Sequence, residues 1–228
     1  MRSFVHYLPI ATSVFALWFG PVILRRYRER RSGPHLAWWG FGVLMYGVGT
    51  ITESLTTLFG WSEPVFRAWY ISGALLGGAP LAQGTVYLLL SRRTANRLTV
   101  ALVSVVSVAA IFVLLSPIDA SAVEPYRLTG RVMGWSWVRA FSPFVNLYAA
   151  VFLIGGAVYS ALRFHGVDGM RHRVIGNAFI AVGALLPGIG GSFTRFGHVE
   201  VLYVTELIGL LLIYAGYRFN IREAPAAA

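Results

Sequence analysis

Two carboxylates stand inside long apolar runs of this chain, Glu53 in MYGVGTITESLTTLF and Glu206 in VLYVTELIGLLL. A charged side chain at the centre of a bilayer is unfavourable by ~2.5–3.5 kcal/mol even on lenient insertion scales, so such a group is expected to face other helices or water and to mark a site. Around Glu53 the polar residues Tyr46, Thr50, Glu53 and Thr57 recur at steps of 4, 3 and 4. That period lines one face of a helix, and a polar face on an apolar helix points at protein or water. Counting inward at ~1.5 Å per residue puts both carboxylates about 10 Å below the same side of the membrane. The expectation is one outward-opening polar cavity. In it Glu53 and Glu206 hold a cation or proton, while Arg67 holds an anion or neutralises a carboxylate. Thr50, Tyr70, Asn146 and Tyr203 orient a ligand by hydrogen bonds, and His6 lies at similar depth. The alternative reading of the same residues is structural: ion pairs Glu53–Arg67 and Glu206–Arg195, since buried charges tend to be paired.

Other chemistry is narrowed by residue types. All 19 basic residues are Arg. Without a lysine there is no retinal Schiff base, no lysine-based covalent catalysis and no Walker-type phosphate loop. Without cysteine there are no disulfides, thiolate metal sites or c-type haem attachment. No Ser–His–Asp arrangement and no GxSxG appears, so no catalytic residue is assigned. His6, His198, Glu53, Glu200 and Glu206 are suitable metal-ligand types, but no HxxxH or HExxH spacing gathers them. No cofactor is specified.

The elements that must position these residues are membrane helices. Apolar residues make up 57% of the 228 and charged residues 12%, against about 25% charged in soluble domains. Runs near ~20 residues suffice to cross a bilayer. Seven fit, at about 4–24, 36–59, 66–90, 98–116, 138–162, 173–194 and 199–217. The fold class expected is therefore all-α: a single polytopic transmembrane domain over 1–228, a seven-helix bundle. The first run is read as a span and not a cleaved signal, because it is long, contains Pro9 and ends in a basic cluster. LLPGIGGSFTRFG weakens the border of the last two spans, leaving six spans plus a re-entrant segment as the alternative count.

Arginine placement gives the orientation. Thirteen Arg fall on one side of these spans, in the clusters 25–31, 92–97, 163–173 and 218–222, and six on the other. The positive-inside rule then puts the N-terminus outside and the C-terminus in the cytoplasm, in a plasma membrane. The formal charge of +10 reads as topology and contact with anionic lipids at the cytoplasmic face. Nucleic acid is not expected, because the Arg residues flank spans and form no basic domain. Residues 117–137, with Trp135 and Trp137, are expected as a mobile outer loop at the headgroups or as a lid. In the third run Gly73 and Gly77 form a GxxxG pair continued by Pro80, Gly84 and Tyr87, a close-packing face with a kink. The phrase WYISGALLGGAPLAQGTVYLLL is similar to segments of multi-helix bacterial membrane proteins and brings no activity with it. Abundant Ala, Gly and Val beside Arg-only basic residues point to a bacterial source.

Three functions remain open on these residues. The first is a membrane protein that binds a small ligand, lipid or ion as a sensor or carrier, a sensor requiring a separate cytoplasmic partner. The second is a non-catalytic accessory subunit of a larger membrane complex. The third is an intramembrane lipid-modifying enzyme using paired carboxylates as acid and base.

Overall fold

The computed structural model describes residues 4–30, 33–194 and 196–221. Arg195, and with it the expected Glu206–Arg195 pair, lies outside the described residues, as do Arg2, Arg31 and Arg222 of the charge reading. The described chain is helical, and its only extended pairings are two isolated bridges. Five helices are long and apolar enough to cross a membrane: Phe4–Glu29, Arg92–Leu115, Ser136–Phe164, Arg171–Thr194 and Val199–Asn220. They make this a multi-pass membrane protein.

The second and third runs are helical too but differ in kind. Helix α1 (Leu8–Arg30) is followed by α2 (Pro34–Phe59), which is long but carries Gly, Trp and Thr in place of aliphatic residues. The third run is interrupted. Helix α3 (Glu63–Trp69) passes into a π-helical turn (Tyr70–Leu75), the chain breaks at Leu76–Gly78, and α4 (Ala79–Leu89) resumes. Pro80, with no N–H to give, sits in the first turn of α4, where none is needed. The kink expected from Pro80 is thus a full break, placed just before it.

The chain divides into two compact units, residues 1–149 and 150–228. In the first, α1 and α2 run antiparallel with Gly20 under Leu44 and Gly40 under Leu24. At Gly49 the backbone of α2 meets that of Gly73, where an added Cβ would stand 3.1 Å from the Gly73 Cα. One member of the GxxxG pair therefore does make the close approach its spacing predicts. Helix α5 (Arg92–Leu115) turns Val100, Val103, Val108, Ile111 and Leu114 outward, an aliphatic face suited to lipid.

The segment after α5 is a packed cap. Ile118 and Met133 form an antiparallel bridge, Gly134 N–H donates to the Pro117 carbonyl at 2.8 Å, and Trp61 N–H donates to the Pro125 carbonyl at 2.7 Å. Val132, Met133 and Val138 are buried with Phe66, Tyr70, Leu75, Ala109 and Val113 in one apolar core. The loop, expected to be mobile from its Gly and Pro content, packs Val132, Met133 and Val138 into a core shared with α3, the π turn and α5. Helix α6 (Phe141–Ala149) closes this unit.

The second unit holds a π-helical turn (Ala150–Gly155), α7 (Gly156–Phe164), α8 (Arg171–Thr194) and α9 (Val199–Asn220). Helix α8 runs unbroken through Pro187 to Thr194, so LLPGIGG is no re-entrant break. The reason is the seam with α9. Gly176, Gly183 and Gly190 recur every seven residues and face Gly216, Gly209 and Leu202. A Cβ on either Gly183 or Gly209 would lie 2.6 Å from the other's carbonyl oxygen. Pro187 removes the N–H that Gly183 O would receive in a regular helix, and that carbonyl is turned to the Cα–H of Gly209, a weak but useful donor away from water. The Pro187 ring covers the same glycine at 3.1 Å from its would-be Cβ.

Candidate functional site

The C-terminal half of α2 is a polar helix enclosed by protein. Thr50, Thr52, Glu53, Ser54, Thr56 and Thr57 are all buried. Its hydroxyls are turned to their own helix: Thr52 Oγ1 donates to Gly49 O at 2.5 Å, Ser54 Oγ to Thr50 O at 2.8 Å and Thr56 Oγ1 to Thr52 O at 2.9 Å. A hydroxyl that spends its hydrogen this way presents only lone pairs to its surroundings. Thr50 Oγ1 also shares a 2.9 Å hydrogen bond with Ser13 Oγ of α1, which ties the two helices.

Glu53 is 5% exposed. Its Oε1 accepts the indole N–H of Trp69, at the end of α3, at 3.0 Å. Trp69 is a partner that the polar stripe of α2 does not reveal; an indole N–H away from water needs an acceptor, and Glu53 supplies it. Tyr70, beside it, is buried against Phe66 and Trp69, with ring centroids 6.1 and 6.0 Å away, and Gly130 of the cap lies over its edge.

Arg67 does not go to Glu53. Its Nε and Nη2 donate to Glu63 Oε1 at 2.9 and 2.7 Å, Nη1 donates to Val113 O, and Nη2 also donates to Ser116 O at 2.9 Å. A cation on the last carbonyls of α5 satisfies groups the helix leaves open and complements its dipole. The short helix α3 thus carries two contacts, Trp69 to the buried carboxylate and Arg67 to the end of α5.

Asn146 is also engaged by backbone. Its Nδ2 donates to Ala74 O at 3.3 Å and to Ser142 Oγ at 3.1 Å, while Ser142 Oγ donates to Ala74 O at 3.0 Å. The break after the π turn takes away the regular donor to Ala74 O, and α6 supplies two side chains in its place. His6 sits half-buried in a 3₁₀ turn, Phe4–Tyr7, ahead of α1.

Two of the expected site residues belong to the second unit. On α9, Tyr203 is 4% exposed and Glu206 is half-buried. They lie one turn apart, and on the next turn Gly209 enters the seam with α8. The residues gathered in the first unit are therefore Thr50, Glu53, Trp69 and Tyr70, with Arg67 and Asn146 holding the ends of neighbouring helices.

A second polar network joins α4, α5 and α6. Gln83 is fully buried, its Nε2 donating to Thr99 Oγ1 at 2.8 Å and Ala95 O at 3.2 Å, and its Oε1 accepting from Tyr148 OH. Tyr87 OH, 3.0 Å from Thr99 Oγ1, donates to Asn96 Oδ1 at 2.8 Å. A saturated network of this type locks helices and offers no open group for chemistry.

Among the described residues no group of three or more His, Asp or Glu is placed to hold a metal ion. The α2 segment around Glu53 is rich in acceptors: the carboxylate, which accepts the Trp69 N–H, and the Thr52, Ser54 and Thr56 hydroxyls, which give their hydrogens to carbonyls of their own helix. It suits a proton, a small cation or a ligand rich in N–H or O–H donors. No protein-family profile, curated protein or solved structure matches this chain.

Proposed function

We propose that this chain is a seven-span protein of a bacterial plasma membrane, N-terminus outside and C-terminus cytoplasmic, that binds a small cation or ammonium-bearing ligand at Glu53 and acts as a sensor or carrier. The observation that carries the reading is the acceptor character of the α2 face around a carboxylate that is 5% exposed. Seven spans follow if α2 crosses the membrane inside the protein and the third crossing is the broken α3–π–α4 rod. Arginine asymmetry supplies the orientation. Helix α3 suits a relay: it lies between Gly60, with φ of 89°, and the break at Leu76–Gly78, and it touches Glu53 through Trp69 and α5 through Arg67. A ligand that competes with Trp69 for Glu53 shifts α3, and a shift of α3 is felt at the end of α5.

The test uses the indole as reporter. In the full-length protein in nanodiscs, sodium or methylammonium replaces a bulky organic cation at constant pH and ionic strength while tryptophan emission is recorded. The reading expects a saturable change, abolished by Trp69→Phe and by Glu53→Gln. An unchanged spectrum in the wild type, or a change that survives Glu53→Gln, removes it.

A further inference from the structure

We infer that the α7–α8 end of the second unit is a binding surface for an anionic phospholipid. Two arginines there are free for a ligand: Arg163 in the last turn of α7 and Arg171 at the start of α8 are exposed, and among the described residues neither side chain forms a hydrogen bond or ion pair. The third, Arg173, is held in place, its guanidinium carbon 5.2 Å from the centroid of the Phe164 ring. That contact joins the end of α7, which carries Arg163, to the start of α8, which carries Arg171. Arg218, on α9 close to the Asn220 that packs on Gly176, is committed to Tyr214, donating to its OH at 2.8 Å. The turn between the helices is set by two left-handed glycines, Gly166 and Gly169, each with φ of 75°. His172 Nδ1 lies 2.9 Å from Gly169 O, which pins the second of them. Asp168 is the one carboxylate of the turn, so Arg163, Arg171 and Arg173 leave this end with a formal charge of +2.

Beside the cations the surface is apolar. Leu162 is 70% exposed, Tyr159 56% and Val167 49%. Tyr159 and Arg163 are one turn apart on α7, so a phosphate at Arg163 leaves the attached chain running down over Tyr159. A free phosphate would use the arginines and gain nothing from this apolar strip. A zwitterionic lipid would bring its own cation against Arg163 and Arg171. A phospholipid with net negative charge satisfies both halves of the surface. This surface is independent of the Glu53 site, and either can fail without the other.

The test is native mass spectrometry of the full-length protein in detergent, titrated with phosphatidylglycerol, with phosphatidylcholine of the same chains, and with glycerol phosphate. The wild type is expected to retain phosphatidylglycerol on the order of thirtyfold better than phosphatidylcholine, from two arginines near a lipid headgroup, with glycerol phosphate a poor competitor. Arg163→Gln with Arg171→Gln brings the two lipids to parity. Arg92→Gln with Arg93→Gln, at the exposed start of α5, leaves the preference intact. Equal retention of both lipids by the wild type overturns the inference without any variant. So does efficient competition by glycerol phosphate, an unchanged preference in the Arg163/Arg171 variant, or an equal loss in the Arg92/Arg93 variant.

Discussion

The two units join their helices by different chemistry. In residues 1–149 one backbone approach, Gly49 to Gly73, stands beside a larger set of side-chain links: Ser13 to Thr50, Trp39 to the Leu81 carbonyl at 3.1 Å, Trp69 to Glu53, Gln83 to Thr99, and Ser142 and Asn146 to Ala74. In residues 150–228 the backbones of α8 and α9 touch, glycine against glycine. A backbone seam cannot adjust, because each carbonyl and Cα is fixed by its own helix. Side-chain links can break and re-form, and they leave polar atoms at helix surfaces. The side-chain links of the first unit can therefore rearrange at lower cost than the glycine seam of the second.

The sharpest way to break this contrast is to place a methyl group in the seam. Gly209→Ala sets a Cβ against Gly183 O and the Pro187 ring, with no flexible side chain to yield. A loss of about 3 kcal/mol is expected, read as a lowered melting temperature in detergent. Gly188→Ala on the same helix as Pro187, where nothing lies within 4 Å, is expected to be neutral or slightly stabilising. If the two variants melt alike, the seam is not what holds this unit.

In the first unit a side-chain link is expected to cost less than the seam. Gln83→Leu strands Tyr148 OH and one acceptor at Thr99, and a loss of about 2 kcal/mol is expected. Trp69→Phe keeps most of the ring but removes the donor to Glu53, so about 1 kcal/mol is expected, together with a changed cation response. A Trp69→Phe loss as large as that of Gly209→Ala would show the Glu53 contact to be structural and the contrast mistaken.

The smallest effect lies in the cap. Asp119 accepts from Ser121 Oγ at 2.6 Å and Ser121 N at 3.0 Å, and these bonds hold its carboxyl below the ordinary value for aspartate. A carboxyl with a depressed value stabilises the folded loop above the unfolded aspartate pKa, and that contribution fades as pH falls through the lower, folded value. Faster amide exchange at Ser121 is expected only in acid below about pH 4, and Asp119→Asn should remove the dependence.

Much of this was legible in residue order. Apolar runs located the five long helices and α2, while the third run, expected as one helix, is broken at Leu76–Gly78. Of the Tyr46–Thr57 stripe, Thr50, Glu53 and Thr57 are buried and Tyr46 half-buried, but Thr52, Ser54 and Thr56, off that stripe, are buried too. Partners were not legible. Glu53 and Arg67 looked suited to each other by charge, yet Arg67 meets the open carbonyls of α5, whose position depends on three helices. Asn146, expected to orient a ligand, donates from Nδ2 to the Ala74 carbonyl, 72 residues earlier in the chain and left open by the break that follows the π turn. The seam could have been found: glycines seven apart on two adjacent runs predict a left-handed close pairing. PGIGG drew attention as a break instead, since proline in a helix is costly unless a neighbour repairs it, and here the neighbour is Gly209.

The central claim, that the Glu53 face takes a cation, is tested most directly by equilibrium binding of radioactive sodium to the purified full-length protein. The account predicts saturable binding that Glu53→Gln abolishes and Glu63→Gln, at the exposed partner of Arg67, leaves in place. Binding that survives Glu53→Gln, or no saturable binding by the wild type, would contradict it.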